Sequence, residues 1–282
     1  MNWKDTLIIT RFDLRNLVRS APGVLFLVLY LSAAVQLGTT MVDSAAWLQG
    51  GMGGAGRDLM LSGLAKAVKL FLPDDGSVRF LVYERPLAMS AYFIISLFAV
   101  PVLVLLLAYN QVSGYVSRGA IRYLVLKTGR LELYLGLFLS NLLYFSLLSG
   151  ILGLVITVGF VLATPSVSTA LVMGYGLQIF LAVWLSAVPL IAFMSLVAAL
   201  LGSPLGTLFL GVGVYAFVGI AGSIVSKQTE YGRILHYVLP FEAKYWFAYP
   251  GAGRFAAAAL LMVAYTAAFL AAGWLLLRRR NV

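Results

Sequence analysis

The chain has 282 residues, of which 62% are hydrophobic and only 11% charged, with a net charge of +10. A soluble domain carries about 25% charged residues, so the polar surface needed to cover a water-soluble core is missing. With no cysteine, disulfides, thiolate metal sites and thiol catalysis are excluded. The positive charge is read as basic loops meeting anionic headgroups, not nucleic acid.

The expected fold class is an all-α integral membrane protein. A single transmembrane domain, 1–282, holds six transmembrane helices and an N-terminal amphipathic elbow helix. Residues 2–19 supply that first helix. Trp3, Leu7, Leu14 and Leu17 recur at helical spacing, while Lys4, Arg11 and Arg15 group elsewhere on the wheel. Such a helix lies in the membrane interface, apolar side in lipid and basic side toward headgroups. Pro22 and Gly23 turn the chain into a first span at about 22–42, too long for a signal-peptide core.

An outer segment, 43–87, follows. Its Gly51, Gly53 and Gly56 spell Gly-x-Gly-x-x-Gly, but a span precedes them where a dinucleotide site needs a strand. Leu61, Leu64, Val68 and Phe71 line one helical face and Lys66 and Lys69 lie off it, which predicts an outer amphipathic helix ending at Pro73. Asp74, Asp75 and Gly76 form a turn signal without the ligand spacing of a calcium loop.

The second span is expected at about 88–112. Segment 113–132 then returns to polar sequence. It reads as a short helix with Ile121, Leu124 and Val125 on one side, Arg122 and Lys127 flanking that side, Arg118 at its edge, and a break at Gly129. Residues 133–226 contain no Lys, Arg, Asp or Glu. A span needs about 20 residues, so this window fits three, at about 133–162, 169–200 and 205–226. Thr164 with Pro165, and Gly202 with Pro204, are the breaks. Pro101 and Pro189 fall inside spans.

A second outer segment, 227–254, carries the only histidine, His236, for which a structural role is expected. Tyr231, Tyr237, Tyr245, Trp246 and Tyr249 suit an aromatic belt at the membrane–water interface. The last span is expected at about 255–277, with Arg278, Arg279 and Arg280 behind it. Six spans put both termini on one side, with eleven basic residues against Asp5, Asp13 and Glu132; the other side has nine against seven acidic ones. The termini are therefore expected in the cytoplasm and the chain in the cell's inner membrane.

This arrangement resembles the permease subunit of type-2 ABC transporters, the exporter-like class. The likeness covers the whole chain in topology. It is strongest after the second span, where Gly119, Leu124, Val125 and Arg130 fit the family's pattern, as do Gly136 and the closing Arg278–Arg279–Arg280–Asn281. Where the family carries acidic residues before the glycine, Tyr115 and Ser117 stand here, and its Thr is Ala120.

The resemblance implies a coupling helix over Arg118, Gly119, Ile121, Arg122, Leu124, Val125 and Arg130, seated on a cytoplasmic ABC ATPase present in two copies. It further implies an elbow helix carrying Trp3, Arg11 and Arg15, and a second copy of the chain or a related permease. ATP and magnesium would belong to the partner ATPase. The chain itself carries no Gly-x-x-x-x-Gly-Lys-[Ser/Thr] phosphate loop, so it is expected to be a transport subunit, not an enzyme, with no cofactor or metal of its own.

The cargo expected is lipid-like or amphipathic, or else the work falls on an outer protein partner through 43–87; membrane lipids complete the partners. A non-transporting membrane scaffold or assembly partner is the alternative. A secondary transporter ranks lower, because the predicted spans three to five hold no ionisable group. An intramembrane enzyme has one histidine and no cysteine to work with.

Overall fold

A computed structural model describes residues 2–20, 75–110, 112–117, 119–165, 167–228 and 239–279, with short stretches between 23 and 72. Among the described residues the chain is helical, without a strand. In order come α1 (Trp3–Arg19), α2 (Asp75–Arg79), a π-helical turn (Phe80–Glu84), α3 (Leu87–Ala108), α4 (Ser113–Ser117), α5 (Ala120–Lys127), α6 (Arg130–Ala163), α7 (Thr169–Leu201), α8 (Pro204–Gln228), α9 (Phe241–Tyr245), a 3-10 turn (Trp246–Ala248) and α10 (Ala252–Arg279).

Among the described residues, five helices are long and apolar enough to cross a membrane: Leu87–Ser117, Arg130–Ala163, Thr169–Leu201, Pro204–Ala221 and Ala252–Arg279. Lipid offers no partner to backbone N–H and C=O groups, so only structures that satisfy them internally can cross. Several hydroxyls inside the spans obey the same rule by bonding back to their own helix. Ser186 donates to the carbonyl of Ala182 at 2.7 Å, Ser195 to Ile191 at 2.9 Å and Ser149 to Phe145 at 2.8 Å.

The expected breaks fall where the sequence puts them. α6 ends at Ala163 and α7 at Leu201, where Gly202 takes φ 72, a left-handed conformation that costs glycine little. The expected first span, 22–42, falls in good part outside the described residues, and so do the Gly-rich stretch 50–56, Leu64, Phe71, Pro73, Asp74 and His236. Of the expected outer face, Val68 is buried and Leu61 half-buried, with Lys66 and Lys69 exposed; Leu72, outside that face, is buried as well. Asp75 and Gly76 do not form the expected turn; they open α2, and Asp75 pairs with Lys69 at 2.5 Å.

α7 is the central post, packed against α3, α6, α8 and α10. Its buried face carries small residues between large ones: Ala182, Ala187 and Ala192 among Tyr175, Ile179, Leu190 and Phe193. Close contacts are made where a partner lacks a side chain. A Cβ on Gly211 of α8 would meet the Met194 sulfur at 2.5 Å, and one on Gly136 of α6 would meet Ile9 at 2.8 Å. By contrast α8 and α10 leave Phe209, Phe217, Ile220 and Leu260 exposed, on faces that lipid or another apolar surface must cover.

The basic end of the bundle gathers α1, α4, α5, the start of α6 and the end of α10. At the opposite end Arg85 lies over the rings of Phe80 (4.9 Å) and Tyr175 (5.0 Å), and Tyr175 shares a 3.0 Å hydrogen bond with Ser90. In the segment after α8, Leu239, Ala243, Lys244, Phe247 and Ala248 are buried. α9 re-enters the bundle, and Lys244 reaches Phe98, at the middle of α3, 5.1 Å from its ring centre. Of the expected belt, Tyr245, Trp246 and Tyr249 are half-buried, and Tyr231 and Tyr237 lie outside the described residues.

Candidate functional site

The basic end is organised around a buried carboxylate. Thr6, Ile9, Thr10 and Asp13 form the inward stripe of α1 and lie against α6. Thr10 donates its hydroxyl to the carbonyl of Gly136 at 3.1 Å, a contact possible because Gly136 has no side chain to hold the helices apart. Three residues on, Asp13 accepts hydrogen bonds from the Tyr115 phenol at 2.6 Å and from the Ser140 hydroxyl. One carboxylate thus joins α1, α4 and α6. Charge-assisted bonds of this kind are about twice as strong as neutral ones. Beside it, the amide of Asn141 donates to the Leu137 carbonyl at 3.2 Å, and its own side-chain oxygen is buried without a partner.

The stripe reverses part of the expected wheel of α1. Trp3 and Leu7 face outward, as expected, with Ile8 and Phe12 beside them, and Arg11 and Arg15 are exposed. Leu14 and Leu17 turn inward and are half-buried. Two threonines and an aspartate are worth burying only because α6 and α4 supply their partners.

The segment for which a coupling role is expected is helical over Ala120–Lys127. Gly119 precedes α5 at φ 68, which glycine adopts at little cost. Leu124 does not present itself to a partner. It packs inward on the cluster of Ile9, Val112, Leu133 and Tyr134. Among the described side chains of α5, Tyr123, 75% exposed, and Lys127 point outward. The side chains of Ile121, Arg122 and Val125, and all of Arg118, lie outside the described residues.

Arg130 lies apart from the outward face of α5. Its guanidinium donates to the carbonyl of Arg278 at 2.8 Å and of Leu277 at 3.4 Å. These are terminal carbonyls of α10, which a cation caps favourably. Glu132, two residues on, accepts the backbone N–H of Asn2 at 3.0 Å, so the start of α6 holds both α1 and α10.

The structure therefore brings Arg130 and Leu124 together with α1 as an internal frame, and leaves Tyr123, Lys127, Arg11 and Arg15 on its surface. Sequence reasoning missed Asp13, Tyr115, Ser140 and Tyr123. The spacing of Thr6, Thr10 and Asp13 was the available signal, since three polar residues recur along one face of the helix, apart from Arg11 and Arg15. Among the described residues there is no cluster of three potential metal ligands. Compared with protein-family models and with curated proteins, the chain matches none.

Proposed function

We propose that the chain is the membrane-spanning permease subunit of an ATP-driven ABC transporter. It works with two copies of a cytoplasmic ABC ATPase, which hold the ATP and magnesium, and with a second copy of itself or a related permease. The basic end faces the cytoplasm of the inner membrane, where anionic headgroups meet Arg11, Arg15 and Lys127. The cargo is lipid-like or amphipathic.

One observation carries this reading: an eight-residue helix, α5, stands at the basic end with Leu124 anchored inward and Tyr123 outward. A force applied at Tyr123 is passed through Leu124 to the core and through α4 and Tyr115 to Asp13. The acidic positions of the resembled family are Tyr115 and Ser117 here, and Tyr115 makes the hydrogen bond to the acid on α1. ATPase closure then biases a two-state bundle through this frame. The exposed Phe209, Phe217 and Ile220 of α8 suit the second copy.

The test is a detergent pull-down of the tagged chain from its native membrane, with an ATPase assay of what co-elutes. A stoichiometric P-loop ATPase, lost on Tyr123→Asp while the chain stays monodisperse, is the expected result. A chain that elutes without ATPase activity overturns the proposal and leaves a membrane scaffold.

A further inference from the structure

α6 and α7 pack side by side, and in the half of the bundle away from the basic end a groove of about 260 Å³ opens between them. Its described floor holds Gly150, Gly153 and Gly176, and its rims include Leu154 and Leu177, 65% and 59% exposed toward the membrane. Gly176 sets the spacing of the two helices, because a Cβ there would meet the Thr157 hydroxyl oxygen. Toward mid-bundle, one turn beyond Phe180, the indole of Trp184 donates to the Ser146 hydroxyl at 2.6 Å and bridges the helices.

By themselves the glycines make a close-packing seam. Thr157 adds a ligand signal. It is 7% exposed, and among the described residues its hydroxyl makes no hydrogen bond, whereas Ser146 and Ser149 of the same helix donate to the carbonyls of Leu142 and Phe145. The Tyr134 phenol and the Asn141 side-chain oxygen also lack partners but are sealed in the core; Thr157 lines the groove and is reached from it. A hydroxyl left unpaired in apolar surroundings costs free energy, which an acceptor entering from the membrane would relieve. Depth says which acceptor is at hand. α6 has 34 residues, about 51 Å of helix, against a hydrocarbon core of about 30 Å, so about 10 Å overhangs at each end. Thr157 lies about 9 Å from the Ala163 end, at the boundary where lipid ester groups sit.

We infer that this groove binds one acyl chain of a glycerolipid, with Thr157 donating to the ester carbonyl. From the ester the chain runs inward along the glycine floor, past Phe180 and toward Trp184. A helix, about 10 Å across, is too wide for a groove of this volume, while a polymethylene chain is narrow and flexible enough to follow it. The site goes beyond the transporter reading and stands without an ATPase partner.

The test uses the purified chain in dodecylmaltoside micelles, with Trp3, Trp47, Trp246 and Trp274 replaced by Phe so that Trp184 reports alone. Quenching is followed on titration with phosphatidylcholine brominated near the chain ends, either ester-linked or ether-linked. Saturable quenching is expected, with the ester-linked lipid bound about fivefold tighter, the worth of one neutral hydrogen bond, because an ether has no carbonyl to accept it. Thr157→Val keeps the shape and should remove the preference. Gly150→Ala/Gly153→Ala should remove the saturable quenching itself. Neither new Cβ meets anything nearer than 3.7 Å, and alanine favours a helix, so the double variant is expected to fold. Native mass spectrometry of the chain with its own tryptophans, exchanging ester-linked against ether-linked lipid, reads the same ratio independently. Quenching that never saturates in the parent, or an ester preference unchanged in Thr157→Val, overturns the inference. So does a double variant that turns a dimer into a monomer and leaves the quenching as it was, which would give the groove to a second copy of the chain.

Discussion

The phenol of Tyr115 donates a 2.6 Å hydrogen bond to the carboxylate of Asp13, a residue 102 positions earlier in the chain. Ser140 donates to the other oxygen of the same carboxylate. Removing the acceptor strands the buried end of the Tyr115 phenol, while the Ser140 hydroxyl keeps the Leu137 carbonyl at 2.8 Å. Asp13→Ala is expected to destabilise the chain by about 3 kcal/mol, and Tyr115→Phe by about half of that. Asp13→Asn, which keeps one acceptor oxygen, should fall between them. Unfolding midpoints in detergent rank the three, and equal midpoints for all would show that the carboxylate carries no weight.

The two faces of α5 should respond oppositely to substitution. Leu124→Asp places a charge into the cluster of Ile9, Leu133 and Tyr134, and is expected to lower stability by several kcal/mol. Tyr123→Asp, on the 75% exposed side, should leave the midpoint within about 0.5 kcal/mol. Size-exclusion profiles and melting curves separate the two. Equal damage from both would place Tyr123 in a packed site.

Gly136 permits the approach of α1 to α6. Any side chain there meets Ile9 and the Thr6 carbonyl, with a first Cβ at 2.8 Å and 3.1 Å. Gly136→Val should cost about 1–3 kcal/mol by overpacking and loosen α1 specifically. Hydrogen exchange is the measure: faster exchange over 6–17 with α7 unchanged is expected.

Arg130 holds the end of α10 through the carbonyls of Leu277 and Arg278. Arg130→Ala should fray the last turn at a cost of about 1 kcal/mol, seen as faster amide exchange over 275–279. Arg130→Lys, a point charge without the guanidinium fork, should restore only part of the protection.

Much of this architecture follows from the sequence by itself. Charge-free stretches, Gly202 and Thr164–Pro165 determine where α6, α7 and α8 begin and end. Helices in an apolar solvent satisfy their own backbones, so local composition is enough to delimit them. The short helix after the second apolar run, and the glycine that turns into it, were legible for the same local reason.

Facing and depth were decided only by tertiary packing. Hydropathy reports how apolar a segment is and not what stands across from it. That is why 239–248, mixed in lysine and aromatics, reads as an interfacial loop until α3, α7 and α8 provide a place to bury Leu239, Lys244 and Phe247. Likewise Leu124 turns inward because Ile9 and Leu133 are there to receive it, and Tyr123 turns outward as a consequence. Asp13 can be buried because Tyr115 and Ser140, both more than a hundred residues away, bring it their hydroxyls.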